Sequence, residues 1–379
     1  MKVIVLGAGL VGGPMAIDLA GDPGMKVTVA DVTAEALDKL ARCAPSVTLL
    51  QKDLSDPDEV RRLVSGYDMA INAVPGFMGF RTLKAIIESG TDVVDIAFFI
   101  EDPFVLDGLA RDKGVTAIMD CGVAPGMCNV LIGYADDQLD ETDNVIYYVG
   151  GLPEIREWPY EYKAVFSPAD VIEEYTRPAR YIEQGKMIVK PALSDPELLG
   201  FEGVGTLEAF NTDGLRSLAV TIRCPNMKEK TLRYPGHIEK MRILRETGFF
   251  SKEEIEIHGV RIKPLDVTSK LLFPKWKLSE GEKDITVMQV VVEGKKGGKK
   301  LRYSWDLLDK FDPVTKIHSM ARTTGYTATV ALRMIADGIY NHKGLTVPEY
   351  LGKHPGCVDY LLKGLKKRGV NYKHKTEEI

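Results

Sequence analysis

Apolar and polar positions follow two different rhythms along this chain. Up to about residue 120, short apolar runs suited to strands buried on both faces alternate with stretches of helical spacing. Residues 2–6, 26–30, 46–50, 69–73, 93–95 and 116–119 are predicted strands, and residues 14–20, 34–42, 57–65, 80–89 and 105–113 predicted helices. Strand and helix in strict alternation describe a doubly wound parallel sheet, an α/β fold. Beyond residue 126 the period changes. Residues 144–149, 218–223, 231–234, 284–293 and 300–305 read as strands, and 168–175 as a helix. Gly294-Lys295-Lys296-Gly297-Gly298 between the last two strands is a hairpin signal. This part is predicted to be an α+β substrate and dimerisation domain with a mostly antiparallel sheet. Residues 323–336 form a helix of small and apolar positions (Ala328, Val330, Ala331, Met334, Ile335), expected to return to the first domain. Residues 357–367 are amphipathic, and 373–379 are polar and expected to fray. The expected division is therefore 1–125 with a return at about 320–345, then 126–319, then a C-terminal helix and tail at 346–379.

The first strand runs into Gly7-Ala8-Gly9-Leu10-Val11-Gly12, a helix follows, and the second strand ends at Asp31. This is the dinucleotide fingerprint in its strand–loop–helix–strand setting. Gly7 permits the tight turn, Gly9 the approach of a pyrophosphate, and Gly12 close packing of helix on strand; the free N–H groups of the helix start receive the anion. Asp31 is placed to accept bonds from a ribose and repels a 2′-phosphate, so the expected cofactor is NAD rather than NADP. Asp53 reads equally as an adenine contact or as a turn or N-cap residue. Ligands of such sheets bind beyond the carboxyl ends of the strands. Asn72, Ala73, Val74 and Asp95 stand at such ends and are expected to border the nicotinamide half; residues 120–126, with Pro125-Gly126, form the domain joint.

Composition narrows the class without changing it. The net charge is −5, with acids and bases interspersed, which argues against nucleic acid or an anionic membrane as partner. No apolar run is long enough to span a bilayer, and residues 1–6 are themselves a strand rather than a leader, so the cytoplasm is the expected compartment. Five cysteines without Cys-x-x-Cys and six histidines without a His-x-x-x-His pair give no disulfide framework and no metal site.

From the first glycine motif onward the sequence resembles the saccharopine dehydrogenase-like family, and within it the lysine 6-dehydrogenases. The likeness spans nearly the whole chain. Its more particular marks are Gly122-Val123-Ala124-Pro125-Gly126-Met127, Tyr148-Val149-Gly150-Gly151-Leu152-Pro153, the segment from Leu207 to Gly214, Leu232-Arg233-Tyr234-Pro235-Gly236-His237, and Met320-Ala321-Arg322-Thr323-Thr324. The resemblance implies a Rossmann domain, a substrate domain like that of saccharopine reductase and usually a homodimer. It implies NAD-dependent oxidative deamination of L-lysine at the ε-carbon, giving the 6-semialdehyde, which cyclises to a piperideine carboxylate, and ammonia. Saccharopine reductases carry an Asn-Arg-Asp-Ser-like segment where this chain has Asn211-Thr212-Asp213-Gly214. The missing arginine removes a bidentate carboxylate clamp, which favours a substrate with one fewer carboxylate. The enzymatic alternatives are a glutamate-forming saccharopine reductase and a carboxynorspermidine-type reductase. The alternative outside catalysis is a regulatory protein that binds NAD without turnover.

Hydride transfer asks the protein mostly for positioning. Lysine needs an arginine for its α-carboxylate and acids for its ammonium groups. Arg233, matching the family's Leu-Arg-Tyr segment, is the first choice for the carboxylate, against a strand arginine in a salt bridge. Asp213 suits an ammonium, against an Asp-Gly turn; Asn211 and Thr212 stand beside it. His237 has the right unperturbed pKa for a proton acceptor, Asp120 closes a strand at the domain joint, and Lys163 is a base only if its amine is neutral. Each has a structural alternative: a satisfied histidine, a capping aspartate, a surface lysine. Cys121 and Cys128 read as small core residues.

Overall fold

In the computed structural model, which describes residues 1–279 and 281–379, the chain forms two compact units: residues 1–138 with 320–371, and residues 139–319 with 372–379.

The first unit is built on a seven-stranded sheet. Its strands lie in the order Gly344–Thr346, Thr116–Ile118, Asp92–Asp95, Met69–Asn72, Lys2–Leu6, Lys26–Asp31 and Thr48–Gln51. Every neighbouring pair is parallel. Val3, Ile4, Val5 and Leu6 are all buried, as a central strand covered on both faces requires. The helix Ser319–Ala336 comes back to the helix Gly12–Ala20. Arg333 on it bonds Asp18 and Asp22, each at 2.6 Å, and Gly325 leaves room for Met15.

The unit extends past the expected boundary at residue 125. The helices Met127–Gln138 and Pro348–Lys353 cross where a Cβ at Gly133 would lie 2.1 Å from the Glu349 carbonyl oxygen, and one at Gly352 2.1 Å from that of Val130. Side chains at either position would force the helices apart. Residues 346–371 are therefore part of the first unit rather than an appendage.

The second unit carries a nine-stranded mixed sheet. Its main path is Ser194–Phe201, Gly205–Asn211, Asn226–Arg233, Glu141–Pro153, Asp284–Lys296, Lys299–Lys310 and Lys373–Glu378. All these pairs are antiparallel except Asn226–Arg233 with Glu141–Pro153. Two expectations are corrected here. The tail does not fray: Lys373–Glu378 adds a strand at the edge of the sheet, with His374 stacked on Trp305 at 4.5 Å between ring centroids. Residues 218–221 form a short helix, Leu218–Thr221, where a strand was expected. Leu218-Ala219-Val220 is apolar, and a run that short fits either state.

Candidate functional site

The loop between Leu6 and Gly12 has the geometry that its glycines suggest. Gly7 has φ +110°, and a Cβ there would lie 2.6 Å from the Ala73 carbonyl oxygen. A Cβ at Gly12 would lie 2.1 Å from the Gly7 carbonyl oxygen. The protein itself therefore demands both glycines. Gly9 is different, since a Cβ there would meet no protein atom within 4 Å. Its bare backbone suits the approach of something other than this chain, and a pyrophosphate against the start of a helix fits. Leu10 is exposed and Val11 half-buried at the helix entry.

Asp31 closes the other side of this corner. Its two carboxylate oxygens accept the Ala8 and Thr33 N–H groups, both at 2.7 Å. Each oxygen has a further lone pair for a ribose hydroxyl. The next side chain, Val32, is exposed and apolar, and the Lys52 backbone N–H bonds the Asp31 carbonyl at 2.9 Å. Asp53 accepts the Ser55 N–H at 2.8 Å, which holds its carboxyl below the usual range, and the N-cap of the next helix is Asp56.

Asn72 and Asp95 are brought together but turn inward. The Asn72 amide donates to the Asp95 carboxylate and, at 3.2 Å, to the Gly79 carbonyl; Asp95 also accepts the Ala97 N–H at 2.8 Å. They brace neighbouring strand tips. Ala73 packs on Gly7 and Gly12, and Val74 is buried. Asp120 is buried with φ +50°, and the Cys121 N–H bonds the Asp95 carbonyl at 2.8 Å. Burial pushes the Cys121 thiol up, which suits a core residue.

In the second unit Arg233 and His237 sit together, though inside the fold. Arg233 is 2% exposed. Its Nε donates to the Tyr175 hydroxyl at 3.0 Å, Nη1 to the Leu232 carbonyl at 2.9 Å and Nη2 to Glu174, and its guanidinium lies 4.5 Å from the Tyr162 ring centre. A substrate carboxylate would have to displace Glu174 to use this fork. The helix Pro168–Thr176 delivers both Glu174 and Tyr175.

The bonding of His237 fixes its tautomer. The Tyr175 hydroxyl, 2.9 Å from Nε2, already accepts from Arg233 and donates its own proton to the ring; Nδ1 then carries the hydrogen given to the Tyr160 carbonyl at 2.8 Å. Burial, reinforced by Arg233, pushes the imidazole down to about 3. The ring is neutral and both nitrogens are engaged, so it reaches a reacting group only if this packing opens. Lys163 bridges Glu157 and Glu282 at 3.4 and 3.2 Å.

The 211–214 loop lies beside this cluster. Asp213 is buried and takes a two-pronged bond from Arg180, Nε to Oδ1 at 2.7 Å and Nη2 to Oδ2 at 2.9 Å; the Arg180 side chain is half exposed. The Asn211 amide donates to Ser194 Oγ at 3.1 Å and to Asp195 at 2.9 Å. Thr212 turns inward to Glu229 and to Thr231, whose Oγ1 is 2.8 Å away. Two residues here were not singled out from sequence, Arg180 and Glu229. Glu229 had a signal: it shares a strand face with Thr231 and Arg233 at alternate positions, a run of polar groups on a face that a buried sheet would fill with aliphatics. Arg180 had none.

Among the described residues no group of His, Cys, Asp and Glu is arranged to hold a metal ion, and no helix is long and apolar enough to cross a membrane.

Residues 3–118 match the model described as saccharopine dehydrogenase NADP binding domain, and residues 122–370 that of the saccharopine dehydrogenase C-terminal domain. The saccharopine dehydrogenase (NADP(+), L-glutamate-forming) of Pyricularia oryzae is 24% identical over 99% of both chains. The carboxyaminopropylagmatine dehydrogenase of Synechocystis sp. is 24% identical over 93% of this chain and 94% of its own. The structure of apo saccharopine dehydrogenase (L-Glu forming) from Saccharomyces cerevisiae superposes with a TM-score of 0.79 at 22% identity, over 99% of each chain, which shows a shared fold.

Proposed function

The chain belongs to the saccharopine dehydrogenase family of oxidoreductases that act on amino acids, and on that premise we propose that it is an NAD-dependent L-lysine 6-dehydrogenase. The observation that carries the substrate reading is Thr212. A position expected from the resemblance to offer a guanidinium instead holds a buried hydroxyl bonded inward to Glu229, so it gives a second substrate carboxylate nothing to bind. Asp31, with apolar Val32 after it, supports NAD over NADP. The matching domain model and the Pyricularia oryzae relative both carry NADP in their names, which makes Asp31 the residue on which this choice turns.

Asp213 and Arg180 receive the α-ammonium and α-carboxylate of lysine as their own two-pronged pair opens to admit it, with Asn211 and Thr212 fixing their loop. Gly7, Gly9 and Gly12, with Leu10 and Val11 at the helix entry, take the pyrophosphate, and Asp31 the ribose. Bound NAD supplies the carbon that accepts a hydride. The ε-carbon gives up that hydride and becomes an iminium, water adds to it, and ammonia leaves. Lysine, NAD and water thus become the 6-semialdehyde, NADH, ammonium and one proton. The semialdehyde then loses water as its α-amine closes the ring. The expected assembly is a homodimer: Ile255, Ile257 and Val260 share an exposed face of a two-stranded hairpin, a surface of the kind that a second copy covers.

The test is incubation with L-lysine and NAD, following NADH by its absorbance and identifying the released molecule. Ammonia equal to NADH supports the proposal. Glutamate released from saccharopine instead would favour the reaction named for the Pyricularia oryzae relative.

A further inference from the structure

Glu229 is a buried group beside the 211–214 loop that the reading above leaves without a task. Its carboxyl is buried in the second unit. Thr212 Oγ1 bonds Oε2, Thr231 Oγ1 lies 3.3 Å from Oε1, and the two hydroxyls are 2.8 Å from each other. These three oxygen contacts form a closed triangle. With the carboxylate ionised, two hydroxyl protons serve three contacts and one stays unmade. With a proton on the carboxyl every oxygen pair has a donor and the ring is complete. The same carboxyl takes the Gly214 N–H, and the Tyr147 hydroxyl holds the Gly214 carbonyl at 2.6 Å. Gly214 fits tightly, since a Cβ there would lie 2.5 Å from the Glu229 carboxyl carbon.

We propose that Glu229, bearing its proton, is a positioning residue: its ring with Thr212 and Thr231 locks the 211–214 loop to the strand Asn226–Arg233, and so aims Asp213 and Arg180 at the α-amino-acid end of the substrate. This rests on the substrate reading given above for the identity of that substrate and for Asp213 and Arg180 as the residues that hold it. Around the carboxyl stand Glu174, paired with Arg233, from the helix Pro168–Thr176; Tyr147 from the strand Glu141–Pro153; and Asp213 with Arg180 at the loop. Burial pushes the carboxyl up to about 8; the Thr212 hydroxyl works against that and Glu174 adds to it. The lock is therefore closed near neutrality and weakened in alkaline solution.

The experiment compares the wild-type 379-residue chain with Glu229→Gln and Glu229→Ala. The amide keeps a donor and an acceptor in the ring at every pH; alanine keeps neither. The Michaelis constant for L-lysine is measured from about pH 7 to about pH 9, and the wild-type value is divided by that of Glu229→Gln, which cancels the titration of the substrate's own amines. The ratio is expected to rise about tenfold over that range, as the wild-type carboxyl passes to about 90% ionised one unit above its midpoint, with kcat changing much less. Glu229→Ala is expected to show the raised constant already at pH 7. A flat ratio, or an alanine variant that matches the wild type, overturns the proposal. Amide hydrogen exchange of the 211–214 segment, as protection factors over the same pH range, reads the lock without any turnover. Protection lost above about pH 8 in the wild type but kept in Glu229→Gln supports it; equal protection in both overturns it. An enzyme inert toward lysine whose loop still unlocks in this way would refute the substrate and leave the positioning role standing.

Discussion

Replacing Asp31 with serine gives the sharpest view of the cofactor corner. The carboxylate already accepts Ala8 and Thr33 N–H groups, both at 2.7 Å, so what it offers a ribose is its remaining lone pairs. Hydrogen bonds to a charged group are worth about 1.5–3 kcal/mol each. One or two of them, discounted for a half-exposed side chain, make NADH binding about 10- to 100-fold weaker in the variant. For NADPH the sign reverses. Two unit charges 4 Å apart at an effective dielectric of 20 repel by about 4 kcal/mol, and screening at an open corner leaves about 1–2 kcal/mol of that. Removing the charge therefore tightens NADPH about tenfold. Serine is preferred to alanine because it retains an acceptor for Thr33. Titrating NADH and NADPH by fluorescence gives both constants, and their ratio is expected to swing by about 100- to 1,000-fold. A ratio unchanged within about threefold refutes the role given to Asp31.

Three further outcomes follow from the geometry. Gly12→Ala sets a Cβ 2.1 Å from the Gly7 carbonyl oxygen, so NADH binding is expected to vanish in calorimetry and the thermal midpoint to fall. Stability against pH is expected to be a plateau with two falling limbs. His237, pushed down to about 3 from 6.5, loses stability for the fold as pH falls from about 6.5 toward 3, because the unfolded ring takes the proton first. Glu229, pushed up to about 8 from 4.5, loses it as pH rises from about 4.5 toward 8. The two slopes oppose each other between about pH 4.5 and 6.5, and Glu229→Gln should flatten the limb from 6.5 to 8 in urea titrations. Lys163→Met separates a base from an ion pair: loss of a general base costs about 10²- to 10⁴-fold in kcat, whereas loss of the contacts to Glu157 and Glu282 costs at most about 1 kcal/mol of stability. The paired geometry favours the second outcome.

What could be read from sequence was local, and what could not depended on pairing between distant segments. Gly7, Gly9, Gly12 and Asp31 lie within one strand–turn–helix–strand unit, so spacing alone placed them. Arg233 and His237 were identifiable as residue types, but their surroundings come from Glu174 and Tyr175 on a helix about sixty positions earlier, which fill the arginine's fork and fix the histidine's tautomer. Asn72 and Asp95 end neighbouring strands as expected, yet face each other because adjacent strand tips in register bring an amide to a carboxylate. The boundary at residue 138 rests on two glycines that let one helix cross another, and neither glycine marks a turn. Lys373–Glu378 is polar because it forms an edge strand, a composition shared with disordered tails.

The most direct test is a single assay: purified protein, L-lysine and NAD, with NADH and the released nitrogen compound quantified together. Equal amounts of NADH and ammonia, with a cyclic imine as the carbon product, are expected. No NADH with lysine, together with turnover of saccharopine to glutamate, would contradict the substrate reading that Thr212 carries.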